Sequence, residues 1–326
     1  MPLIAPSTYR PPLLFGNGHL QTIYPSLFRR VNGVRYRRER IYTPDDDFLD
    51  LDWSRVGSDK LAIISHGLEG NSHRAYVLGM VRAVNRAGWD ALAWNYRGCS
   101  GEPNRLLRSY HSGATEDLHT VVEHARSLKL YREIALIGFS LGGNLTLKYG
   151  GERGEDIPPE VTRLVAISTP CDLASSARKM ARPENRIYMI RFMRMLREKI
   201  RQKKQLMPGL ISDEDFDKIR TFEDFDSRYT APLHGFAGAE DYWQKCSSRQ
   251  FIPGITVPTL LINARNDPFL APECYPIPEA EQHPLFFLEM PESGGHVGFI
   301  SFNSGGIYWS ERRTVAFLTG EPCTIT

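Results

Sequence analysis

Residues 134–149 constrain this chain more than any other stretch. Residues 134–139 form a short apolar run of the kind buried in a parallel sheet, and residues 141–149 carry helical apolar spacing. Only Ser140 separates the two. Gly138-Phe139-Ser140-Leu141-Gly142 therefore reads as a strand-to-helix turn with no connecting loop. A turn this tight forces its central residue into strained backbone and needs small flanking residues, which glycine supplies on both sides. It lifts the serine hydroxyl clear of the sheet and sets it at a helix N-terminus, where peptide dipoles favour negative charge.

The stretches on either side share this rhythm. Strands are expected over 37–42, 48–56, 61–65, 89–94, 164–168, 259–263 and 285–290, and helices over 73–86, 116–128 and 307–318. Strands alternating with helices of this length imply βαβ units and a mostly parallel, twisted sheet flanked by helices. Residues 1–35, rich in Pro, Gly and aromatics, read as an extended arm laid on the core. The rhythm breaks over 172–252 and resumes on a sheet strand, so that stretch reads as an inserted helical cap. The core is then 36–171 together with 253–326.

The cap is electrically uneven. Residues 178–204 hold eleven Lys/Arg and two Glu, while residues 213–226 hold seven acids and two bases. Met189, Met193, Leu196 and Ile200, with Phe192 beside them, form an apolar helical stripe backed by Arg191, Arg194, Arg197 and Arg201. The whole chain carries a net charge of only +2, which argues against nucleic-acid binding by bulk charge. Five cysteines (Cys99, Cys171, Cys246, Cys274 and Cys323) stand far apart, none at C-x-x-C spacing. That pattern suggests neither a disulfide framework nor a zinc site, and a reducing compartment is the default. With no secretory signal and no run of 18 apolar residues, a soluble cytoplasmic protein is expected.

A serine hydroxyl needs a base, and the base needs an orienting acid. In strand-elbow-helix enzymes the order is Ser, acid, His. His296, in the glycine loop Ser293-Gly294-Gly295-His296-Val297-Gly298, follows the strand at 285–290 and can return over the elbow. His283 precedes that strand and should sit at the opposite edge. Asp267 follows the strand at 259–263 at its carboxyl end, where ligands bind in open α/β sheets. Asp226 and Asp241 are rivals inside the inserted segment. Backbone donors for a tetrahedral intermediate are expected at Leu141, directly after the nucleophile, and at Leu68 in His66-Gly67-Leu68-Glu69-Gly70. His66 reads as a brace for that loop. His119 and His124 do not share a helix face and are not read as metal ligands. Cys99 lacks an elbow. No cofactor and no metal are expected.

Several motifs point to a narrower group. They are Asn17-Gly18-His19-Leu20-Gln21-Thr22-Ile23-Tyr24, His66-Gly67-Leu68-Glu69-Gly70, the run from Asn95 to Asn104, and Tyr110-His111-Ser112-Gly113. The elbow with Gly143-Asn144, Asp241-Tyr242-Trp243, the run from Asn263 to Pro268, and Gly294-Gly295-His296-Val297-Gly298 complete the set. The chain resembles the YheT-like subgroup of α/β-hydrolases, related to the abhydrolase-domain esterases and lipases, over nearly its whole length. The resemblance implies an α/β-hydrolase fold, activity on short- to medium-chain acyl esters, and a charge relay at Ser140, Asp267 and His296. A soluble carboxylesterase acting on a small-molecule ester is the leading expectation. A lipase at a membrane surface, suggested by the basic segment 178–204, is less favoured, and a non-catalytic binding module is the alternative of another class.

Overall fold

The computed structural model describes residues 2–320, so Cys323 lies outside the described residues. The strands are β1 (Leu3–Ile4), β2 (Arg37–Tyr42), β3 (Phe48–Ser54), β4 (Lys60–Ser65), β5 (Asp90–Asn95), β6 (Glu133–Phe139), β7 (Val161–Ile167), β8 (Thr259–Ile262) and β9 (Phe286–Glu289). They form one nine-stranded sheet in the order β1-β9-β8-β7-β6-β4-β5-β3-β2. Only the β2–β3 and β3–β5 pairs are antiparallel. Strands β4 to β8 are buried on both faces, so they read in sequence as continuous apolar runs and not as alternations.

The helices are α1 (Gly18–Phe28), α2 (Ala75–Arg86), α3 (Thr115–Ser127), α4 (Leu141–Arg153), α5 (Leu173–Met180), α6 (Arg186–Leu206), α7 (Phe222–Phe225), α8 (Ala231–Leu233), α9 (Ala239–Cys246), α10 (Ile277–Gln282) and α11 (Trp309–Thr319). One apolar cluster packs Leu118, Val121, Val122, Leu145 and Tyr149 of α3 and α4 against the sheet. The other packs Val77, Met80, Val81 and Val84 of α2 and Trp309 of α11 against the opposite face. Helices α5 to α9 all lie between β7 and β8.

One local reading differs from expectation: the arm is not simply extended. Leu3–Ile4 adds a parallel edge strand to β9, and Gly18–Phe28 is a helix whose Asn17 side chain accepts from the Leu20 N–H. The basic segment spans two helices. Pro183 opens a 3₁₀ turn, Arg182 before it is extended, and α5 and α6 are separate as a result. The stripe on α6 is as expected: Met189, Met193, Leu196 and Ile200 are buried in a cluster that includes Phe269. Among the described residues no helix is long and apolar enough to cross a membrane.

Candidate active site

The strand order places β4 between β5 and β6, so the chain leaves β4 toward one side of the sheet and returns on the other. Ser65 and Gly138, the last paired residues of β4 and β6, are neighbours in register. The loop after β4 and the turn after β6 therefore emerge side by side at the carboxyl ends, the position where open α/β sheets hold ligands.

Ser140 sits in the turn with φ 53° and ψ −118°, a strained conformation for a residue with a side chain. The flanking glycines are required sterically. A Cβ on Gly138 would lie 2.1 Å from the Gly142 carbonyl oxygen, and one on Gly142 would lie 2.4 Å from that of Ser65. Ser140 then caps α4, and its carbonyl accepts the Asn144 N–H.

His296 Nε2 lies 2.9 Å from Ser140 Oγ. His296 Nδ1 lies 2.9 Å and 3.2 Å from the two oxygens of Asp267. The Asp267 carboxylate is buried, and the Phe269 N–H donates to it. With Nδ1–H directed at the carboxylate, Nε2 is left free to accept the serine proton. Phe269 covers the imidazole at a ring-centroid distance of 4.2 Å, and it packs on Tyr188 of α6.

The histidine loop is anchored from distant parts of the chain. The His296 N–H donates to Thr22 Oγ1 of α1, the Val297 N–H to Ser168 Oγ, and the Gly295 N–H to Asn266 Oδ1. Gly18 is pressed so closely on Asn266 that a Cβ there would lie 2.0 Å from its carbonyl oxygen. The motif from Asn17 to Tyr24 thus belongs to a helix that holds the histidine loop from beneath. Thr22 and Ser168 are the supporting residues that sequence reasoning did not single out, although the arm motif contains the first of them.

The loop after β4 is held with equal care. The Tyr76 hydroxyl accepts the Gly67 N–H and the Tyr110 hydroxyl accepts the Glu69 N–H, which leaves the Leu68 N–H between two occupied donors. A Cβ on Gly67 would come within 3.2 Å of Ser140 Cβ, so the loop stands directly against the serine. His66 is fully buried, and burial pushes its pKa down to about 3, so it is a neutral brace. Its Nδ1–H donates to the Gly67 carbonyl, and its Nε2 accepts the Tyr96 N–H. Glu69 Oε1 accepts from the Tyr110 hydroxyl and pairs at 3.1 Å with Lys199 of α6.

Two pockets meet at Ser140. One has a cavity volume of about 150 Å³ and is bounded by Leu141 and by Leu173, Ala177, Met180, Leu196 and Ile200 of α5 and α6. The other, about 340 Å³, runs from Ser140 and His296 toward α1 and the start of α2.

The rejected candidates are engaged otherwise. Asp241 pairs with Lys245 on the surface, and Asp226 borders the smaller pocket but accepts from Trp243 and Thr230 and does not meet His296. His283 stands at the start of β9 and accepts the Leu285 N–H. Cys99 is a buried thiol whose pKa is pushed up to about 11 by burial, opposite to what a nucleophile needs. His119 meets Tyr149 and His124 meets Glu39, and no metal-binding cluster occurs among the described residues. The run from Asn95 to Asn104 is structural. Buried Arg97 forks onto Asp117 and also reaches Asp45 and Asp47, and Asn104 donates to Asp47.

A family model described as alpha/beta hydrolase fold matches residues 62–302. YheT of Escherichia coli strain K12 is 35% identical over 316 residues, which is 94% of this chain and 91% of that one. This chain is a YheT-like member of the α/β-hydrolase family. A monoacylglycerol lipase of Saccharomyces cerevisiae is 30% identical over 289 residues, 86% of this chain and 63% of that one. Among solved structures, the hydrolase is similar to the Pyrococcus furiosus esterase Pf2001, with 19% identity, a TM-score of 0.59, and coverage of 90% of this chain and 97% of that one. At that identity the likeness speaks for the fold alone. The elbow between β6 and α4 and the residues Ser140, Asp267 and His296 all fall within the matched span.

Proposed function

We propose that this α/β-hydrolase cleaves carboxylic esters through an acyl-enzyme on Ser140. The observation that carries the reading is the unbroken chain of contacts from Ser140 Oγ through both nitrogens of His296 to Asp267. His296 Nε2 takes the serine proton as Oγ attacks the ester carbonyl. Asp267 holds the tautomer and stabilises the imidazolium. The Leu68 and Leu141 N–H groups face the developing oxyanion. The imidazolium then gives its proton to the leaving alkoxide. A water molecule, deprotonated by the same histidine, releases the acid and restores Ser140.

Residues 172–252 act as a cap whose α5 and α6 form the wall of the acyl pocket. The small apolar cavity suits short- to medium-chain acyl groups, and the yeast relative's name as a monoacylglycerol lipase supports an ester substrate. Replacing Ser140 by Ala lowers kcat on 4-nitrophenyl butyrate roughly 10⁴-fold or more. Equal rates for the two proteins would overturn the proposal.

One observation favours a second reading, action at a lipid surface. Ile187 and Ile190 of α6 are 75% and 59% exposed on the same helix as Arg191 and Arg194. Such a face can rest on anionic lipid. Co-sedimentation with vesicles containing phosphatidylserine at low salt tests it, and absence of binding leaves the plain esterase.

A further inference from the structure

An ester has two sides, and the two pockets meeting at Ser140 differ in chemistry. His296 must deliver its proton to the leaving-group oxygen, so the leaving group lies on the histidine side. His296, Ser140 and Leu68 border both pockets, but Val297 of the histidine loop and Thr22 and Ile23 of the helix beneath it border only the larger. Leu141, whose N–H serves the oxyanion, bounds only the smaller apolar pocket. The acyl chain therefore occupies the smaller pocket and the alcohol occupies the larger.

The larger pocket is cationic in a specific way. Its charged lining residues are Arg29, Arg74, Arg191 and Glu69. Two of these are already satisfied: Arg29 pairs with buried Glu311 at 2.6 Å, and Glu69 pairs with Lys199. Arg74 donates only to the backbone carbonyl of Glu69, and Arg191 has no hydrogen bond or ion pair among the described residues. Both arginines border the same pocket, and burial, then the charges of Arg74 and Arg194, pull the Arg191 pKa below its ordinary value. Two like charges, neither of them paired with a carboxylate because Glu69 is taken by Lys199, stand beside the reacting serine and attract an anion.

Resting on the serine-hydrolase reading, we propose that Arg74 and Arg191 receive an alcohol leaving group that itself carries an anion, a carboxylate or a phosphate. Arg74 approaches from the start of α2 and Arg191 from α6, so the anion bridges the core and the inserted helices. The Arg74 contact to the Glu69 carbonyl also places the anion one residue from the Leu68 donor.

The test compares esters with one acyl group and different alcohols. The carboxylate arm pairs 3-carboxy-4-nitrophenyl butyrate with its 3-carboxamide analogue. The phosphate arm pairs 1-butyryl-glycerol 3-phosphate with 1-butyryl-glycerol. The readout is the ratio of kcat/KM, anionic to neutral, within each protein. The wild type gives a ratio about tenfold higher than Arg191→Gln or Arg74→Gln at low salt, and the advantage collapses in 0.5 M NaCl. Arg191→Glu takes the ratio below that of the glutamine variant. Because Arg191 is on the surface of α6, its variants remain informative if Arg74→Gln fails to fold. A response in either arm supports the proposal and names the anion. Ratios unchanged by all three substitutions in both arms overturn it. Failure of the underlying reading is distinct: the wild type would then hydrolyse no ester of either arm, or Ser140→Ala would be as active as the wild type.

Discussion

Lys199→Met isolates the link between α6 and the loop that carries Leu68. Lys199 Nζ lies 3.1 Å from Glu69 Oε1 and 3.2 Å from the Gly98 carbonyl, and the two paired side chains are 14% and 8% exposed. Glu69 itself has a left-handed backbone, with φ 52°. Methionine preserves most of the stem while removing the charge, so the penalty comes from a buried carboxylate left with the Tyr110 hydroxyl alone. Breaking a buried pair typically costs ~3–5 kcal/mol, and the slight exposure of both side chains puts the loss toward the lower end of that range. Urea unfolding at pH 7 measures it. The double variant Glu69→Gln/Lys199→Met, which buries no lone charge, should recover most of the stability. On a nitrophenyl ester the single variant should lower kcat more than it raises KM, because the displaced Leu68 N–H serves the oxyanion. A loss below about 0.5 kcal/mol at pH 7, or no recovery in the double variant, would refute this reasoning.

Other outcomes follow from the same geometry. Asp267→Asn should lower kcat by about 10⁴-fold with KM little changed, since the amide favours the wrong imidazole tautomer; a loss below tenfold contradicts the relay. Ala177→Trp, on the α5 wall of the acyl pocket, should reduce kcat/KM for octanoate relative to acetate esters by roughly tenfold, and an unchanged chain-length profile would place the acyl group elsewhere. Burial raises the Asp226 carboxyl from 3.8 to about 6. Between those values the folded chain holds a proton that the unfolded chain has released, so this group withdraws stability as pH rises through the window, by up to roughly 3 kcal/mol. The Tm of Asp226→Asn relative to wild type should therefore climb from pH 4 to pH 7, and a constant difference would refute the assignment.

The elbow, the order of the relay residues and most sheet strands were legible because they rest on local signals. Strands β4 to β8 announce themselves as short apolar runs, and Gly138 and Gly142 flank the only residue between a strand and a helix. What escaped the sequence depends on approach over long separations. Thr22 and His296 meet across 274 positions, and Val297 and Ser168 across 129. Nothing near Thr22 signals a partner in a distant glycine loop, and the Pro25 within α1 weakened the helical signal of the arm. The Glu69–Lys199 pair was hidden for the same reason, since Lys199 reads locally as one more charge in a basic run. The break between α5 and α6 was more accessible, because Pro183 was visible. All four residues of the apolar stripe lie beyond that proline, on α6, so the stripe itself carries no helix back across it.

The central claim, that Ser140 is an activated nucleophile, is tested most directly by reaction with a fluorophosphonate followed by mass spectrometry of the digest. One stoichiometric adduct is expected on the peptide containing Ser140, formed rapidly in the wild type and slowed by orders of magnitude in His296→Ala. No adduct at Ser140 while ester hydrolysis persists, or an adduct on another residue that abolishes hydrolysis, would contradict it.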